Sequence, residues 1–131
     1  MSGLSNYTQA ALLNWLKGTA MPTAPSSVYV GLFNGDPTDT GSAGAEVTTT
    51  IRAGGRVVAT YGNVAGNASI SNSADVDFGA AAGAATVSHF GLFSAASGGN
   101  LLASGAVAQS KSVAATNLVK FPAGSLTVTV D

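Results

Sequence analysis

Along the first twenty residues, Leu4, Tyr7, Ala11, Leu12, Trp15 and Leu16 recur three and four positions apart, the spacing that gathers side chains on one side of an α-helix. Ser5 stands where a hydroxyl can cap the first free N–H groups, and Gly18 where a left-handed residue can end the last turn. A helix over residues 5–17 is predicted. Its apolar side holds Trp15, expected in the core because burying a large aromatic side chain stabilises most.

Beyond Pro22 and Pro25, which exclude a continuing helix, the period shortens to two. Val28, Val30 and Leu32 fall on one face of a strand, while Tyr29 and Phe33 fill the other, so both faces should be covered. Residues 34–46 (Asn-Gly-Asp-Pro-Thr-Asp-Thr-Gly-Ser-Ala-Gly-Ala, then Glu46) carry turn formers and little apolar bulk, which predicts an exposed loop. Short β-prone runs follow at Val47–Ile51, Arg56–Tyr61, Ala68–Ser71, Ala74–Phe78, Thr86–Phe93, Leu101–Val107, Ser112–Val113, Leu118–Phe121 and Leu126–Val130, with Gly, Ser and Asn between them. About eight short strands so spaced predict one mainly β domain over residues 1–131, an antiparallel sandwich or barrel carrying a single N-terminal helix.

Two of these runs echo each other. Val28-Tyr-Val-Gly31-Leu32-Phe33-Asn34 and Ser88-His-Phe-Gly91-Leu92-Phe93-Ser94 each place a glycine between large apolar residues. A glycine inside a strand marks the close approach of another backbone or ring. Both are expected to be central strands lying side by side, with Leu32, Phe33, Phe90, Leu92 and Phe93 in the core.

Composition narrows the function. Only 8% of residues are charged, against about 25% in an average soluble domain. A surface so poor in charge suits a protein packed against neighbours, including copies of itself. The five cations are scattered, whereas nucleic-acid binding needs a concentrated basic face, so no direct nucleic-acid partner is expected. Without cysteine there is neither a disulfide framework nor a thiolate nucleophile. No window reaches the about 20 apolar residues of a membrane span, and no basic-then-apolar leader opens the chain.

Candidate chemistry is sparse. His89, the single histidine, has no acidic neighbour in sequence and reads as a structural residue. Asp75 and Asp77 would share one face of a strand, yet a glycosidase pair also needs an aromatic-lined cleft, for which one Trp and three Tyr are few. Asp36 and Asp39 could offer oxygens to calcium, but their spacing is not that of an EF-hand. No catalytic residue, cofactor or metal is assigned, and the chain is not expected to be an enzyme. The residues expected to make contacts are Leu4, Tyr7, Asp36, Asp39, Glu46 and Tyr61.

Leu4-Ser-Asn-Tyr7, Ala11-Leu-Leu-Asn-Trp15-Leu, Ser27-Val-Tyr-Val-Gly-Leu-Phe33, Asp36-Pro-Thr-Asp39, Asn72-Ser-Ala-Asp75-Val-Asp-Phe78, Val87-Ser-His-Phe-Gly-Leu-Phe93 and Phe121-Pro-Ala-Gly-Ser-Leu-Thr-Val-Thr-Val130 together resemble a family of small tailed-phage virion proteins. The resemblance implies a structural component of the virion. The first expectation is a capsid decoration, or cement, protein: a homo-oligomer on the outer surface of the head that binds the major capsid protein. The alternative is a tail, baseplate or fibre protein engaged in host-surface attachment, with other virion proteins as partners.

Overall fold

Ten strands and two helices follow one another in the computed structural model, which describes residues 3–130. They are β1 (Gly3–Leu4), α1 (Asn6–Leu16), β2 (Val28–Asn34), β3 (Ala45–Glu46), α2 (Thr48–Ile51), β4 (Val57–Ala59), β5 (Ser69–Ser71), β6 (Val76–Ala80), β7 (Ala85–Phe93), β8 (Leu101–Val113), β9 (Leu118–Phe121) and β10 (Thr127–Thr129). Every pairing is antiparallel. The fold is mainly β, as the short alternating runs imply.

β7 and β2 form the middle of a six-stranded sheet, with β8 and then β1 beyond β7. The other edge of β2 is shared: β4 pairs with Val28–Val30, and β3 with Phe33 and Asn34. Two separate ladders, β5 with β10 and β6 with β9, complete the β structure. Val30, Leu32, Phe90, Leu92 and Ala103 of the sheet share one buried cluster with Val76, Phe78, Val119, Leu126 and Val128 of the ladders. The ladders are therefore the second layer of a sandwich whose inner faces meet across an apolar core. On the far side of the sheet Phe33, Phe93 and Leu101 form a smaller cluster with Tyr29 against it, so β2 and β7 are covered on both faces.

The echoing runs lie side by side, and their glycines face each other: Gly31 pairs with Gly91. A Cβ at Gly31 would sit 3.0 Å from the Phe93 ring, and one at Gly91 would sit 3.0 Å from the Phe33 ring and 2.9 Å from Leu101. The glycines thus make room for two rings that stack at a centroid distance of 6.0 Å.

Two expectations are corrected. Val47–Ile51 is not a strand: Thr48–Ile51 forms the short helix α2. The Thr48 hydroxyl accepts the Leu32 N–H at 2.8 Å, and the Val47 N–H reaches the Leu32 carbonyl at 2.8 Å. These bonds serve the part of β2 that lies between its partners β3 and β4. Such a side-chain to backbone bond outweighs the β-propensity of three successive threonines.

The second correction concerns the helix. Its ends are as read: Ser5 Oγ accepts the Thr8 N–H. At the other end Gly18, at φ +103°, closes a Schellman motif through Gly18 N–H to Trp15 O and Thr19 N–H to Asn14 O. Yet no residue of α1 is buried, and Trp15 is not a core anchor, being 56% exposed. The helix is held near its first turn, where Ser5 N–H and Thr8 Oγ1 both donate to Leu102 O and Asn6 N–H donates to Asp39 O. The two β layers close the core without it, and its second half projects.

Candidate functional site

Three places on the molecule gather side chains that could act: a clamp around Arg56, a groove between β8 and β9, and the projecting half of α1.

In the clamp, the Arg56 guanidinium lies 3.5 Å from the Phe93 ring centroid. Its Nε and Nη2 donate to the two Glu46 carboxylate oxygens at 3.0 and 2.9 Å, and Nη1 donates to Ala95 O and Gly98 O. The Arg56 side chain is 9% exposed and that of Glu46 31%. Burial raises the Glu46 pKa, but hydrogen bonds from Arg56 and Thr48, with the Arg56 charge, outweigh it and hold the carboxyl below its ordinary value. A polar cleft of about 270 Å³ opens beside this pair. Since all the groups here are paired with one another, the clamp is a structural lock fixing β3, the segment before β4 and the β7–β8 turn over the Phe33/Phe93 stack.

Val107, Val113 and Phe121 line the β8/β9 groove, with Lys111 and Lys120 beside them. It lies where β8 runs past the core: three additional β8 residues bulge between the pairs His89↔Ala106 and Val87↔Lys111.

The residues expected to make contacts are dispersed. Leu4, in β1, is half-buried against the core. Tyr7 is exposed on α1. The Asp36 carboxylate accepts the Thr38 N–H, shaping a turn in the 34–46 segment, where Pro37 is fully buried. Asp39 accepts from Gln9 Nε2 at 3.4 Å and from the Asn6 backbone, which brings that segment to the foot of α1. Glu46 is taken up by the clamp. Tyr61 is partly buried: it packs against the core, its hydroxyl is buried without a partner among the described residues, and burial raises its pKa. Trp15 stands at the tip of α1, whereas Leu32, Phe33, Phe90, Leu92 and Phe93 are buried.

The catalytic candidates are likewise occupied. Asp75 lies ahead of β6; it accepts the Ala123 N–H at 3.0 Å and pairs with Lys120 at 3.2 Å, and these contacts lower its pKa. Asp77 instead accepts the Gly79 N–H. His89 Nδ1 is bonded to Ser88 Oγ at 2.8 Å, and that hydroxyl also accepts the Gly35 N–H. Asp131 lies outside the described residues. Among the described residues no three His, Cys, Asp or Glu side chains converge on a metal position, and no helix is long and apolar enough to cross a membrane.

Arg56 and Asn72 were not singled out from the sequence. Arg56 offered a faint signal as half of the one arginine pair, Arg52 and Arg56, in a chain with few charges. Asn72 lies between β5 and β6 in a run of small polar residues, Ser71-Asn-Ser73, where nothing local sets it apart.

What the surface does present is apolar. Leu13, Trp15 and Leu16 are 65%, 56% and 69% exposed, and a cleft of about 220 Å³ lies at the foot of the helix between Leu4, Gln9, Leu12, Leu13 and Val130. No curated protein matches the chain. A family model described as podophage GP4 fiber I protein gp80 matches residues 3–129. The match runs from β1 to the end of β10, and this chain belongs to that family.

Proposed function

We propose that the chain is a structural subunit of a tailed-phage fibre, acting through its surfaces and not through chemistry. A virion structural role follows from the family; the fibre location is the finer step, and the match over residues 3–129 carries it. Within the molecule the reading is supported by the commitment of Asp75, Asp77 and Glu46 to bonds that hold loops in place, and by apolar side chains left exposed on α1.

The capsid decoration reading gives way here to its alternative. Small size and scarce charge suit a cement protein and a fibre subunit equally, and a fibre family favours the second. The partners are then other virion proteins of the tail.

Counting copies of the chain per purified virion, by mass spectrometry against the major capsid protein, tests this. A few to a few dozen copies support the fibre. Copies in the hundreds, as an order of magnitude for interfaces repeated over a closed shell, would return the protein to the head.

A further inference from the structure

We infer that the polar cleft beside the Arg56 clamp is a binding site for one ring of a neutral saccharide, held through two adjacent hydroxyls. The clamp leaves bonding capacity over. A guanidinium has five N–H groups. That of Arg56 Nε and one on Nη2 go to Glu46, and those on Nη1 go to Ala95 O and Gly98 O, so one N–H of Nη2 has no acceptor among the described residues. Glu46 Oε2 takes bonds from Arg56 Nε and Thr48 Oγ1, whereas Oε1 takes only the one from Nη2. A spare donor and a spare acceptor thus stand 2.9 Å apart, both on residues that line the cleft.

This pair selects its ligand by chemistry. A hydroxyl both donates and accepts, so two hydroxyls on neighbouring ring carbons can give one proton to Oε1 and take the N–H of Nη2. They close a ring of bonds that a single hydroxyl cannot. Thr49 and Ser97, on the same walls, bring two more hydroxyls with no hydrogen bond of their own among the described residues.

Charge and size narrow the ligand further. Glu46, kept ionised by its bonds from Arg56 and Thr48, and the Arg56 cation cancel, so an anion meets the carboxylate and a cation the guanidinium. Arg52 does not line the cleft; its Nη1 is turned to the Gly55 and Arg56 carbonyls. At about 270 Å³ the cleft falls just below the roughly 300 Å³ at which drug-sized pockets begin, which suits a single pyranose ring. Phe93 lies under the guanidinium and gives the ligand no stacking face, so binding should be weak, with a millimolar dissociation constant. Repetition of the subunit on a particle raises the grip of such a site by avidity. The inference goes beyond the fibre assignment and can fail alone, because binding to the purified chain does not depend on where the particle carries it.

The test is an NMR titration of the ¹⁵N-labelled full chain with the methyl glycosides of glucose, galactose and mannose, each up to about 50 mM, well above a millimolar dissociation constant. Tetrahydropyran-2-methanol, a ring of the same size with one hydroxyl, and methyl glucuronoside, which adds a charge, are the controls. At least one glycoside should shift the amides of Thr49, Gly55, Arg56, Ser97 and Gly98 saturably, and both controls should bind at least about tenfold more weakly. Ser97 is exposed in the β7–β8 turn and takes no part in the clamp, so Ser97→Leu fills the cleft while the lock stays intact, and it should abolish the shifts. Glu46→Gln, its fold checked by circular dichroism, should weaken binding about tenfold. No saturable shift with any of the three glycosides, shifts that persist in Ser97→Leu, undiminished affinity in folded Glu46→Gln, or a control that binds as tightly as the glycosides overturns the proposal.

Discussion

Arg56 shows how a charge-poor protein uses a charge inside. Its guanidinium is bonded on three sides and covers the Phe93 ring on the fourth, a combination that lysine, lacking the planar fork, cannot reproduce. Glu46 is the other half of the lock, and Glu46→Gln should cost about 2 kcal/mol, between the small value of an exposed pair and the larger value of a buried one. Because the Glu46 pKa is depressed in the folded state, its contribution is complete above the unfolded value, near 4.5, and is lost as pH falls through the folded value. Denaturant unfolding at a series of pH values should therefore show the wild type and Glu46→Gln converging as pH falls through the depressed folded value, with a shallower acid limb in the variant; Asp75, shifted the same way, leaves part of the limb in both. Gly91 has a steric counterpart. A methyl there meets Leu101, Phe33 and Phe93 at 2.9 to 3.1 Å, and Gly91→Ala should lower stability by about 1–3 kcal/mol through overpacking, read from the same unfolding midpoints. The glycine positions were legible in sequence because the same local word occurs twice. The arginine was not, since its carboxylate comes from β3 and its ring and two carbonyl partners from the end of β7 and the turn after it, about forty residues away in the chain.

At the scale of elements, the sequence told more about where chain segments turn and cap than about what each segment covers. The α1 ends could be read because Ser5 and Gly18 act on their own neighbours. The fate of its apolar side could not, because an apolar stripe implies a partner without naming it, and here the core is filled by Leu32, Phe90 and Leu126 from strands and loops. α2 was missed for a related reason: the signal that makes Thr48–Ile51 helical is the unpaired stretch of β2, visible only once β3 and β4 have divided that strand edge. Thr48→Val keeps the side-chain shape and removes the acceptor of the buried Leu32 N–H. It should cost about 1–3 kcal/mol, the penalty for stranding one buried donor. Hydrogen exchange should place the loss at Leu32, whose amide loses protection relative to that of Phe90 across the sheet. Equal protection at both would mean that the hydroxyl merely fills space.

For the whole molecule, the open question is what holds two short ladders together as one layer, since neither two-stranded ladder would be stable alone. Asn72 is the physical answer. Only 2% exposed, it donates to Ala74 O and Pro122 O and accepts the Leu126 N–H, while its own carbonyl takes the Gly124 N–H. Three residues on, Asp75 accepts the Ala123 N–H. One turn between β5 and β6 thus grips the turn between β9 and β10, and the two ladders become a layer that delivers Leu126 and Val128 to the core. The words Asn72-Ser-Ala-Asp75 and Phe121-Pro-Ala-Gly-Ser-Leu126 therefore belong together: they are the two sides of one joint, separated by about fifty residues, and a pass along the chain shows each side without the other. Asn72→Ala should cost about 3 kcal/mol, because it strands the buried Leu126 N–H and the Ala74 carbonyl and leaves a void, while Pro122 O keeps its bonds from Ser125. Asp75→Ala, at an exposed position, should cost less. Because Asn72 couples the two ladders, its loss should also reduce cooperativity, separating tyrosine fluorescence from far-UV circular dichroism during denaturant unfolding. Coincident transitions with an unchanged midpoint would show that apolar burial alone unites the ladders.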